Sequence, residues 1–315
     1  MRRAGRWDLE VRDTFVNSLL KLARSDPRIT LITGDLGFGV LDAFRRELPR
    51  QFLNAGVAEQ NMTGLATGMA LEGRIVFTYS IANFPTLRCL EQIRNDAAYH
   101  QANVKIVAIG GGFSYGALGM SHHATEDVAI LRALPGIRVY APCDEEETRA
   151  LTFQAVTSPG PCYLRLDKSK VTVPCAEAMQ GGSIRCLRHG RDVALIGYGG
   201  ILCEAMIAAT ELATHGIECG VYSAHTLKPF DDEGLLELAR GADALVTLEE
   251  HVGTGGLGSI VAEILLEAHY LPARYLRLCL PDAYSSIVGS QEYLRERWQL
   301  DGAAIARRIR QLLER

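Results

Sequence analysis

Two doubly wound α/β domains in tandem is the architecture the sequence predicts, and three features predict it. Short β-rich apolar runs alternate with stretches of helical period along nearly the whole chain, which is the pattern of parallel sheets flanked by helices. The alternation stops over residues 167–191 and then resumes. A length of 315 residues, 48% hydrophobic and 22% charged, is enough to core two such domains.

Taken in order, residues 7–24 place Leu9, Phe15, Val16, Leu19, Leu20 and Leu22 on one helical side, and Ser25-Asp26-Pro27 ends the pattern. The run 28–33 reads as a first strand that delivers Asp35 beyond a strand's carboxyl end, where parallel α/β sheets bind ligands. A short strand at 51–55 leads into NAGVAEQNMTGLATG and a small-residue helix at 57–71, followed by a strand at 74–80. After the Phe84-Pro85 loop, Leu87, Leu90, Ile93 and Ala97 form an apolar helical side. The strand 104–109 ends in a loop, 110–123, too rich in glycine to continue extended. A helix at 125–134, a strand at 137–140, a helix capped by Asp144 and a strand at 162–166 complete the first alternation.

Residues 167–191 hold Pro174 and Gly181-Gly182 without sustained period, so the domains are expected at 1–172 and 187–315 with a linker near 173–186. The second alternation predicts strands at 192–196, 217–222, 244–248 and 274–278, with helices at 201–214, 231–240, 256–270 and 302–314.

A formal charge of −4 with both signs interspersed offers no continuous positive face, which argues against nucleic-acid binding. No apolar run reaches the ~18 residues that span a bilayer, and the N-terminus lacks a signal-peptide pattern, so a cytoplasmic protein with no membrane partner is expected. The eight cysteines are scattered with no Cys-x-x-Cys pair and read as buried thiols.

Glu59 opens the small-residue helix. An acid in a first helical turn is favoured by the macrodipole, worth ~0.3–1 kcal/mol, and needs no further role. Its small apolar neighbours, however, would desolvate the carboxyl and raise its pKa, which suits proton transfer. His122 and His123 read equally as a polar cap or as groups that meet a substrate oxygen. Phe84 is ordinarily a hydrophobic plug, and Arg12 and Arg165 are ordinarily surface ion pairs, although guanidinium also grips phosphate and carboxylate. The runs Gly110-Gly111-Gly112 and Gly197 to Gly200 match no phosphate-loop pattern. Gly253-Thr254-Gly255-Gly256-Leu257-Gly258 comes nearer, but Glu249-Glu250 just before it would repel phosphate.

Together, GVAEQNMTGLATGMAL, FPTLRCLEQIRNDA, GMSHHATEDVAILRALPGIRVYAPCDEEE, YLRLDKS and EEHVGTGGLGS, in this order and spacing, resemble the last two domains of transketolase. The same region of 1-deoxyxylulose-5-phosphate synthase and of 2-oxo acid dehydrogenase β subunits is similar. The resemblance implies a thiamine diphosphate enzyme built from a pyrimidine-binding domain and a transketolase C-terminal domain. It assigns Glu59 to the cofactor's pyrimidine nitrogen, Phe84 to stacking on the ring, His122 to substrate contact and proton transfer, and Arg12 and Arg165 to a sugar phosphate. Asp35, at a strand end, is placed with Glu59 and Phe84 on the cofactor.

The Gly-Asp-Gly motif that holds the diphosphate through Mg²⁺ is missing; Gly34-Asp35-Leu36 is not that motif. The resemblance therefore implies the C-terminal subunit of a split transketolase that moves a two-carbon ketol unit between sugars. An N-terminal subunit would carry the Mg²⁺ ligands, most simply in an α2β2 heterotetramer. The alternatives are a decarboxylating 2-oxo acid enzyme with the same cofactor and a non-catalytic partner subunit. Leu118, Gly110 and Gly39 stand where the family commonly has an aspartate, a histidine and a serine that contact substrate, which leaves the donor and acceptor open.

Overall fold

The structure, a computed structural model, describes residues 11–168, 178–179 and 181–314. Residues 173–177 and 180 of the expected linker and residues 7–10 of the first expected helix lie outside the described residues.

The first domain runs α1 (Val11–Ser25), β1 (Ile29–Thr33), α2 (Asp42–Glu47), β2 (Phe52–Asn54), α3 (Glu59–Leu71) and β3 (Ile75–Ile81). It continues with α4 (Leu90–Gln92), β4 (Val104–Ile109), α5 (Asp127–Ala133), β5 (Arg138–Tyr140), α6 (Glu145–Thr157) and β6 (Cys162–Leu166). The helix expected after Pro85 is broken: a 3-10 turn at Leu87–Cys89 precedes α4, which continues as a π-helix at Ile93–Ala98. Six strands pair in parallel in the order β5-β6-β4-β3-β1-β2. A parallel sheet buries both faces, which is why β1, β4 and β6 are buried throughout and show no apolar–polar alternation, the charges of Lys105 and Arg165 being satisfied inside. One face is closed by α1 and α6, with Phe15, Leu19, Leu151 and Ala155 against Leu31, Phe77 and Leu164. The other receives α3 and the turn after α4, through Met62, Ala66 and Ile93 on Ile32, Val76 and Ile106.

The second domain contains β7 (Arg185–Arg188), β8 (Val193–Gly197), α7 (Leu202–Ala213), β9 (Cys219–Ser223), β10 (Thr226–Lys228) and α8 (Asp232–Gly241). Then follow β11 (Ala244–Val252), α9 (Leu257–Glu267), β12 (Tyr275–Leu280), α10 (Gln291–Arg297) and α11 (Gly302–Leu313). Its sheet has the order β12-β11-β8-β9-β7, parallel except for β7 on β9. β7 occupies part of the stretch expected as linker.

β10 leaves its own domain and pairs antiparallel with β5, extending the first sheet to seven strands. Lys228 fastens it by donating to the carbonyls of Arg132 and Leu134 at 2.7 and 2.6 Å, where the end of α5 leaves acceptors unpaired. The core crosses the junction as well: Val128, Leu131 and Val139 share one cluster with Leu227, Leu257 and Ile260. Two domains read separately from sequence are thus held as one packed body.

No described helix is long and apolar enough to cross a membrane. None of the seven described cysteines is paired, and burial pushes the thiols of Cys203 and Cys219 up to about 11 and about 12.

Candidate active site

Four of the six sequence-selected residues lie beyond the carboxyl ends of strands of the first sheet, three in loops and Glu59 at a helix start. Two residues beyond β1 stands Asp35, whose positive φ of 58° is supported by Asn54: the Asp35 N–H donates to Asn54 Oδ1 at 2.9 Å, and Asn54 Nδ2 donates to Asp35 Oδ1 at 3.0 Å. Asp35 is exposed, and no hydrogen bond joins it to Glu59; its neighbour Gly34 lies against the Glu59 side chain.

Glu59 begins α3 and is only 3% exposed. A carboxylate so desolvated needs a counter-charge, which Arg88 supplies: its Nη1 donates to Glu59 Oε2 at 2.8 Å. Among the described residues Oε1 accepts no hydrogen bond. The Arg88 guanidinium also lies over the Phe84 ring, 4.7 Å from its centroid.

Phe84 is half-buried behind β3, and the His122 ring meets it edge-on with centroids 5.2 Å apart. His122 ends a 3-10 turn, Met120–His122, that follows Gly119, and its Nδ1 lies 3.0 Å from Ser121 Oγ. Asn83 ties the two loops together through its amide, which donates to the carbonyls of Ser121 and His123. His123 turns inward: it is buried, stacks edge-on with Phe113 at 5.0 Å, and burial lowers its pKa. Of the adjacent pair, therefore, only His122 reaches the site. Arg12 lies at the start of α1, near enough to Tyr79 at the end of β3 for its charge to act on that phenol, and its Nε contacts Asp13 Oδ1 at 3.2 Å.

Arg165 requires correction. The resemblance sends it to a sugar phosphate, but it is 1% exposed and pairs with Asp127 and Asp167, each at 3.0 Å. Its remaining donor reaches the carbonyls of Ala124 and Glu250, each at 3.4 Å. It is a buried tie between the domains, because Asp167 also accepts from the Gly200 N–H and the Arg165 guanidinium faces the Tyr198 ring at 5.3 Å.

The glycine at position 110 has a structural reason. Its φ is +92°, and a Cβ there would collide with the Tyr115 ring, so a side chain is barred from the place where the family commonly carries a histidine. Tyr115 and Leu118 line a cavity of about 730 Å³ between this loop and the second domain, with Lys168, Gln291 and Arg295. The Gly253-to-Gly258 run is no phosphate loop either. The buried Glu249 carboxylate accepts from the Leu257 and Gly258 N–H groups at 2.7 and 2.9 Å, so the start of α9 already holds its anion.

Among the described residues one Cys, Asp and Glu group has metal-like spacing: Cys143, Asp144 and Glu147. Arg185 already pairs with its two acids, at 2.8 and 3.4 Å. Sequence reasoning missed Arg88, Asn83 and Tyr115. Arg88 alone carried a signal, a cation one turn beyond the selected aromatic.

The first doubly wound domain gathers a buried acid, a half-buried aromatic and a histidine beyond its strand ends, and it is docked to a second doubly wound domain. The family model for the transketolase pyrimidine-binding domain matches residues 8–174, and that for the transketolase C-terminal domain matches 182–305. The chain belongs to the transketolase family. It is 37% identical over 308 residues to the 6-deoxy-6-sulfo-D-fructose transketolase subunit SqwH of Clostridium sp. (strain MSTE9), covering 97% of this chain and 95% of that protein. It is 38% identical over 262 residues to an apulose-4-phosphate transketolase subunit of Phocaeicola vulgatus, covering 81% and 83%. A solved structure described as a split gene transketolase, inactive beta4 tetramer, superposes with a TM-score of 0.87 at 33% identity, covering 98% of this chain and 99% of that one. 1-Deoxy-D-xylulose-5-phosphate synthases also match, but the chain spans under half their length. The expected fold and the expected likeness to a split transketolase subunit are both borne out.

Proposed function

We propose that the chain is the C-terminal subunit of a split, thiamine-diphosphate-dependent transketolase, transferring a two-carbon ketol unit from a ketose to an aldehyde when joined to an N-terminal subunit. The observation that carries this is the Glu59 carboxylate: buried, with one oxygen paired to Arg88 and the other accepting no hydrogen bond among the described residues, beside the half-buried Phe84 ring. A planar, basic, nitrogen-containing ring fits that arrangement. When bound, the cofactor supplies the carbon nucleophile for the ketose carbonyl.

The chain's own residues hold and move protons. Glu59 Oε1 would accept a hydrogen bond from the pyrimidine nitrogen when that nitrogen carries a proton, in a setting where exclusion of water strengthens the bond. Phe84 offers its face to the ring. His122, half-exposed at the mouth of the site, exchanges a proton with the substrate oxygen. Arg12 meets the anionic end of the sugar, and Asp35 borders the cofactor from the end of β1. The partner supplies the diphosphate and Mg²⁺ site with its Gly-Asp-Gly motif, and an α2β2 assembly in the cytoplasm places the two half-sites together.

The test is to assay the chain alone and with the N-terminal subunit on ketose phosphates and, separately, on pyruvate. Ketol transfer by the pair alone is expected, and Glu59→Ala in the pair should abolish it. Turnover and tight Mg²⁺-dependent cofactor binding by the lone chain refute the split-site reading. Release of CO₂ from pyruvate refutes ketol transfer.

A further inference from the structure

We propose that Arg88 is a positioning residue of the pyrimidine site, fixing the Glu59 carboxylate so that Oε1 alone is left to meet the cofactor's ring nitrogen; this rests on the function proposed above. Three observations support it. Arg88 Nη1 holds Glu59 Oε2 at 2.8 Å, which sets the rotation of the carboxylate. The same guanidinium lies 4.7 Å from the centroid of the Phe84 ring, so the aromatic limits its swing. The turn that carries both side chains is itself pinned, by Thr86 Oγ1 donating to the Ala82 carbonyl at 2.6 Å and Cys89 Sγ to the Phe84 carbonyl at 3.2 Å.

The acid, the cation and the ring therefore constrain one another as a frame. Glu59 is 3% exposed whereas the Arg88 side chain is 48% exposed, so the cation forms the solvent-side wall of that frame. Without it the carboxylate would be buried without its counter-charge and free to turn, so that neither oxygen is held in place. A lysine keeps the charge but loses the planar fork that engages the carboxylate and the ring face together.

The experiment uses this chain complexed with its N-terminal subunit. Thiamine diphosphate binding with Mg²⁺ is measured by calorimetry for wild type, Arg88→Ala and Arg88→Lys, with circular dichroism to establish that each is folded. Arg88→Ala is expected to raise Kd about tenfold, the scale of one charge-assisted hydrogen bond, with Arg88→Lys in between. For a cofactor analogue whose ring nitrogen facing Glu59 is replaced by carbon, Arg88→Ala should cause no further loss. A variant that binds the true cofactor as tightly as wild type or more tightly overturns the assignment, as does an equal loss for cofactor and analogue. A wild-type complex that binds neither compound refutes the pyrimidine-site reading and this assignment with it. Normal wild-type binding matched by Arg88→Ala refutes only the role of Arg88.

Discussion

Replacing Arg165 by methionine separates a substrate contact from a structural tie. The side chain is 1% exposed, and Asp127 and Asp167 each lie 3.0 Å from its guanidinium. Asp127 also accepts from the Tyr163 hydroxyl at 2.6 Å, and Asp167 from the Gly200 N–H at 2.6 Å, so neither acid can turn to water. Methionine fills much of the volume but leaves both carboxylates without their cation. Removing one partner of a buried pair costs roughly 3–5 kcal/mol. Even the lower end of that range lowers the Tm by roughly 5 °C for a chain of this size. The assay is thermal and urea unfolding followed by circular dichroism, beside KM for the sugar in the assembled enzyme at a temperature where the variant is folded. The expected result is a large loss of stability with KM little changed. Unchanged stability with a raised KM would refute the burial argument and return Arg165 to the substrate.

Two further substitutions test the tertiary frame. Burial pushes the Glu147 carboxyl from its ordinary 4.5 up to about 7, so the folded chain holds more protons than the unfolded chain between those values. Its contribution is therefore full below pH 4.5 and lost as the pH rises through 7, a change of up to about 3 kcal/mol. Urea unfolding at pH 5 and pH 8 should show wild type losing stability relative to Glu147→Gln, and parallel behaviour would count against it. At Gly256 a Cβ would collide with Glu249 Oε2, so Gly256→Ala must displace the acid that caps α9. A loss of roughly 1–3 kcal/mol in chemical denaturation is expected, as for a buried acceptor that loses its donors.

The strands and most helices were legible because their signals are local. ITLIT at β1 and VKIVAI at β4 are mostly apolar and buried at every position of a sheet covered on both faces, and Asp144 caps α6 by accepting from the Glu147 N–H. Glu59, Phe84 and His122 were legible as candidates because each stands at a strand end or helix start, and the structure brings them together. β10 was not legible. It is three residues long, and its partner β5 lies in the other domain. Arg165 was misread for a related reason: its sequence neighbours say nothing of Asp127, which reaches it from another element.

The sequence by itself determined the two α/β alternations, the family and three of the residues that meet at the site, because periodicity and motif order are written along the chain. Only the tertiary structure decided which charges are compensated. Arg88 on Glu59, Arg165 between two aspartates and Glu249 on α9 are pairings between residues brought together by folding, and burial makes each of them an energetic necessity.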